Sequence, residues 1–175
     1  MKNGKIFVFD GIDPIGSVQS VDTSTVVIHV INPDMLSKVQ VNHMIVLRAS
    51  KLNQWLIGLV NKIMRKYGDE SDLAEGEEIA TSDIIKVTLI GTFLEKDGLR
   101  DNIFKRTLES VPEIDADCFI MTEDMITDFM SIISNSNASV ENPLCIGNYI
   151  LNGEAKACLD GNKLFQRHAV IVGST

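Results

Sequence analysis

Residues 84–94, IIKVTLIGTFL, constrain the fold more than any other stretch. Ile85, Val87, Leu89 and Phe93 alternate with Lys86, Thr88 and Thr92, the period-two pattern of a strand with one face in a core. β-Branched side chains pack well on a pleated surface, which favours the extended backbone here. A strand of this kind needs neighbours on its edges, and the chain supplies them. Residues 15–21 and 24–31, the latter containing TVVIHVI, read as two short strands, and HMIVLRAS (43–50) as another. In NQWLIGLVNKIMRK, Trp55, Ile57 and Leu59 point one way and Leu56 and Val60 the other, so a long strand is predicted. Turns punctuate these runs: Pro33 within NPD, Lys96–Gly98 (KDG), and Asn152-Gly153 inside CIGNYILNGEAKACLD. Short strands with regular turn signals predict a mainly β fold, a small closed barrel with one or two helices.

One helix is clear. In MTEDMITDFMSIIS, Thr122 is placed to cap the N-terminus, and Glu123 and Asp124 suit the first turn. Met125, Ile126, Phe129, Met130, Ile132 and Ile133 form an apolar stripe at helical spacing over about 122–134. That stripe either packs on its own domain or forms a partner groove.

Charge narrows the function classes. The net charge is −8, and GDESDLAEGEE places six carboxylates between residues 69 and 78. From Thr107 to Ala155 there are nine acids and no Lys or Arg. Such a surface repels phosphate backbones, so nucleic-acid contact would need a local basic patch. The best candidate is Lys62, Arg65 and Lys66. No apolar run approaches the roughly 18 residues of a membrane span, and the N-terminus lacks the features of a signal peptide, so a cytoplasmic protein without membrane attachment is expected. Cys118, Cys145 and Cys158 show no C-x-x-C pair, and the histidines at 29, 43 and 168 complete no zinc spacing. Reduced, packed thiols and no metal site are expected.

No catalytic set emerges. Asp115 and Asp117 alternate on an extended segment without a neighbouring base, and read as solvated acids. His29 lies in an apolar strand and reads as a core or pore-facing residue.

The C-terminal stretch LDGNKLFQRHAVIVGST reads as a short helical turn, then a buried strand over Ala169–Val172, then Gly173-Ser174-Thr175. A phosphate loop begins this way. Its glycines let backbone N–H groups wrap the phosphates, its lysine reaches the β- and γ-phosphates, and its hydroxyl holds Mg²⁺. Leu159, Asp160, Asn162, Lys163, Leu164, Arg167 and His168, followed by AVIVGST, resemble the LDxNKLxxRH junction of HerA-type ATPases in the HerA/FtsK branch of ring translocases. IGSVQSVDTSTVVIHV and CIGNYI resemble the first and last parts of that family's N-terminal HAS barrel.

The resemblance implies a barrel over 1–160, carrying the helical segment as an insert, and a linker with the first strand of a RecA-like ATPase domain over 161–175. It implies an oligomerisation and docking module of a hexameric, ATP- and Mg²⁺-dependent DNA translocase or helicase. Double-stranded DNA would pass through the parent ring's pore, and a nuclease or an anti-phage defence effector of sirtuin type would dock on it. The chain would end inside the phosphate loop and would not itself be an enzyme. Gly173, Ser174 and Thr175 would open the nucleotide site, and Asp160, Asn162, Lys163, Arg167 and His168 would form the junction. The alternative from the residues alone is an OB-like nucleic-acid-binding barrel, which requires a basic groove with stacking aromatics.

Overall fold

The computed structural model describes residues 5–67, 81–95, 102–135, 144–150, 152–159, 161–166, 170 and 172–173. In chain order the elements are β1 (Gly16–Asp22), β2 (Thr25–Val30), α1 (Pro33–Leu36), β3 (Met44–Arg48), β4 (Gln54–Tyr67), β5 (Thr81–Leu94), β6 (Ile103–Lys105), β7 (Asp117–Ile120), α2 (Glu123–Asn135), β8 (Leu144–Tyr149), β9 (Asn152–Leu159) and α3 (Gly161–Phe165). They fall into two compact units, Met1–Met121 and Thr122–Thr175.

In the first unit six strands close a barrel. The sheet runs β2-β1-β7-β3-β4-β5, and β2 pairs back onto β5; every pairing is antiparallel. Past the stretch of β5 that β2 takes, β6 pairs with Thr92–Leu94. The closed, mainly β barrel expected over 1–160 thus has its closing strands between Gly16 and Ile120. Val26, Ile28 and Val30 of β2 point into the core with Val18, Ile45, Leu47, Leu56, Val60, Ile85 and Val87. His29 belongs to the opposite, half-exposed set of β2, which corrects its reading as a core residue. Gly16 is required: a Cβ there would collide with the backbone carbonyl of His29 on the neighbouring strand.

Two bulges break the plain alternation. Gly58 faces Leu89 and Ile57 faces Gly91, so Ile90 is the extra residue of β5. The inward set therefore passes from Leu89 to Thr92, which lies opposite Leu56. Phe93 turns to the other face, not the face of Ile85, Val87 and Leu89 that the sequence pattern suggests. The buried Thr92 hydroxyl donates to the Thr107 carbonyl at 2.9 Å and accepts from the Glu109 N–H at 3.3 Å. On β4, Asn61 is the extra residue, since Val60 faces Val87 and Lys62 faces Lys86. Its side chain donates to the Thr88 hydroxyl.

The outward face of β3, β4, β5 and β7 is also apolar, and the N-terminal segment covers it. Phe7 meets Phe93 edge-to-face with ring centroids 4.9 Å apart and reaches Trp55 at 6.0 Å. Phe9 stacks on Phe119 at 4.1 Å and stands edge-on to Trp55 at 5.5 Å. Val46 and Ile57 on this face are fully buried. The second apolar face of QWLIGLV is thus satisfied by a strap from the same unit.

The second unit pairs a helix with a hairpin. Thr122 caps α2, its hydroxyl accepting from the Met125 N–H at 3.4 Å and its carbonyl from Ile126 at 2.9 Å. Met125, Ile126 and Phe129 are buried, and α2 packs against β9, where Ala155 is fully buried. The apolar stripe is therefore turned inward in large part. β8 and β9 form the expected antiparallel hairpin, but Tyr149 pairs with Asn152, so Asn152-Gly153 opens β9 rather than making the turn. Register irregularities between Cys145 and Gly147 and between Asn148 and Tyr149 displace the tight-turn signal. The KDG turn at 96–98 and the acidic stretch 68–78 lie outside the described residues.

Candidate functional site

The basic candidates sit on the end of β4 that follows the Asn61 bulge. Side chains of a strand alternate between faces, so Lys62 and Lys66 share one face while Arg65 joins Ile63 on the other. Arg65 lies opposite Asp83 and grips it through two bonds, Nε to Oδ1 at 2.6 Å and Nη2 to Oδ2 at 2.8 Å. Asp83 is buried, and its hydrogen bond with Arg65 holds its carboxyl below the usual range, with the charges of Arg65 and His29 acting in the same direction against desolvation. The same bond raises the Arg65 guanidinium. Lys62, Arg65 and Lys66 therefore do not form one patch. Lys62 faces Lys86 across the ladder, which leaves a smaller cationic strip of Lys62, Lys66 and Lys86.

Of the junction residues, Asn162 is exposed on α3, and the α3 backbone passes through Lys163. Asp160, Arg167 and His168 lie outside the described residues, as do Ser174 and Thr175. Gly173 is exposed, with nothing within 4 Å of where its Cβ would be. Val170 and Val172, expected in a buried strand, are 83% and 87% exposed and belong to no strand. A strand of a parallel sheet is stable only between neighbours, and none of the described elements supplies one here.

A groove that sequence reading did not single out lies at the β3–β4 turn. About 420 Å³ in volume, it is lined by residues that include Lys5, Arg48, Lys51, Trp55, Glu95 and Glu113. Arg48 and Trp55 are register partners, and the guanidinium lies 5.7 Å from the Trp55 ring centroid. Lys51 donates to the Glu109 carbonyl at 3.3 Å, and the Ser110 hydroxyl donates to Gln54 at 3.3 Å. Hairpin pairing between β3 and β4 is the signal that could have joined Arg48 to Trp55, but the sequence alone leaves the register of the turn open.

The thiols divide into two kinds. Cys118 is the buried, free thiol that was expected; burial pushes its pKa far up, with the charge of Asp117 adding to the effect. Cys145 and Cys158, in contrast, are joined in a disulfide, which corrects the expectation of reduced thiols. The reason is register: the two residues are 13 apart in sequence but face each other across β8 and β9. Asp115 is a turn residue with φ +65°, a conformation Asp tolerates, and its N–H donates to the Val18 carbonyl. Among the described residues no cluster of three or more metal-ligating side chains occurs, no buried polar side chain lacks a hydrogen-bond partner, and no helix is long and apolar enough to cross a membrane. No protein-family model matches the chain, and no curated protein matches it.

Proposed function

We propose that this chain is an assembly and docking module of a HerA-type ring ATPase, acting in the cytoplasm. The observation that carries the reading is the order of its parts. A closed six-stranded barrel comes first, then a helix and hairpin, then the α3 turn within LDGNKLFQRH. A surface for assembly adds support: Ile146, Ile150 and Phe165 in the second unit are 66%, 94% and 69% exposed. Apolar side chains this open favour burial against another subunit. In this reading copies of the chain associate toward a ring of six, and a nuclease or a sirtuin-type anti-phage effector docks on the crown. ATP, Mg²⁺ and double-stranded DNA belong to the parent ring.

A nucleic-acid-binding barrel is the second reading, favoured by Lys5, Arg48 and Lys51 around Trp55. Trp55 is poorly placed for it: Arg48 already covers the ring, Phe7 and Phe9 abut it, and Glu95 and Glu113 line the same groove. Sedimentation velocity over a concentration series, run beside anisotropy titrations with single- and double-stranded DNA, separates the two. Self-association with weak, salt-sensitive DNA binding supports assembly; a monomer that binds DNA tightly at physiological salt supports the second reading.

A further inference from the structure

We propose that Cys145 and Cys158 form a reversible thiol–disulfide site that exchanges with small-molecule thiols and controls the order of the β8–β9 hairpin. This goes beyond the assembly reading and does not depend on it. The two residues face each other in the ladder, and Cys145 is exposed while Cys158 is half-buried. An incoming thiolate therefore finds the sulfur of Cys145 first. Accessible disulfides exchange; those enclosed by a core do not.

The site is placed to matter. Cys145 and Cys158 are the pair next to Leu144 and Leu159, the last pair at the open end of the hairpin. α3 begins two residues beyond Leu159, and a Cβ on Gly161 would lie 3.6 Å from Leu144 Cβ. The bond thus pins the end of the ribbon where α3 departs. Two-stranded ribbons are marginal by themselves, and this one has irregular register at two points. Among the described elements, α2 packs against β9.

The exchange balances. A thiolate RS⁻ attacks the Cys145 sulfur, forming RS–S–Cys145 and releasing the Cys158 thiolate. A second RS⁻ attacks the outer sulfur, forming RSSR and releasing the Cys145 thiolate. Each released thiolate takes a proton, so two RSH and one protein disulfide become RSSR and two protein thiols.

The test counts thiols on the whole chain, using dithiothreitol as reductant, oxidised glutathione as oxidant and a maleimide as label. In oxidised, native protein no thiol is expected to label, because Cys118 is buried; after mild reduction two label, and Trp55 fluorescence is unchanged. Hydrogen exchange in 144–149 and 152–159 is expected to quicken on reduction by roughly two orders of magnitude, the scale of opening a short cross-linked loop, while β1–β5 stay protected. Oxidised glutathione is expected to restore both signals. The Cys145→Ser and Cys158→Ser chains should exchange like the reduced form. Three results would each overturn the proposal: two thiols that label under oxidising conditions, a bond that yields only when the barrel unfolds, or hairpin exchange indifferent to reduction.

Discussion

Replacing Phe7 by alanine tests whether the N-terminal strap belongs to the fold or merely lies on it. Phe7 is 3% exposed and touches Phe93 and Trp55 edge-to-face. Truncation removes about 120 Å² of buried apolar surface, worth about 3 kcal/mol at about 25 cal/mol per Å². Losing the edge-to-face pairs adds about 1 kcal/mol. The total of about 4 kcal/mol lies within the range for buried Phe→Ala changes. With a urea slope of about 2 kcal/mol/M, the midpoint should fall by about 2 M. Trp55 is the single tryptophan and sits in this cluster, so its fluorescence reports the transition directly. Phe7→Leu, which keeps most of the buried area, should lose less than half as much. A Phe7→Ala loss below about 1 kcal/mol would refute the reasoning, since a packed phenylalanine cannot be removed so cheaply.

Other outcomes follow from single contacts. Asp83→Asn should lower the urea midpoint at neutral pH. Its wild-type carboxyl titrates below the ordinary value of 3.8, so the pair's contribution is present above that pH and is lost as pH falls through the depressed pKa. The gap between wild type and Asp83→Asn should therefore close on acidification; a gap that persists at the acid end contradicts the pairing. Gly16→Ala should destabilise the barrel severely, because its Cβ meets backbone rather than a movable side chain; a midpoint near wild type would contradict the β1–β2 geometry. Weak DNA binding, where measured by anisotropy, should fall more in Lys62→Ala/Lys66→Ala than in Arg65→Ala, since Arg65 is held by Asp83; the reverse order would contradict that placement.

Much of the barrel was legible because its strands carry the period-two signature. TVVIHV, MIVLR and the long β4 and β5 runs appear where that pattern places them. What alternation could not show was the bulges. Ile90 and Asn61 look like ordinary strand residues, yet each shifts every side chain beyond it to the opposite face. This is why Phe93 joins the outer aromatic cluster, and why Arg65 rather than Lys62 shares the face of Val60 and Asp83. Long-range pairing was hidden for a related reason. Phe7 meets Phe93 through packing that no local window contains, and Cys145 meets Cys158 through a register that the Asn152-Gly153 turn signal misplaces. Local chemistry fared better at Thr122, where a hydroxyl before an apolar helix had one obvious use.

Native mass spectrometry over a concentration series tests the central claim of assembly most directly, applied to wild type and to the Ile146→Ser/Ile150→Ser/Phe165→Ser chain. Wild type is expected to give multiples of its 19.3 kDa mass, up to six copies, and the triple variant to return to one copy with Trp55 fluorescence unchanged. A wild-type chain that stays at one copy at every concentration, or multiples that survive the triple substitution, would contradict the account.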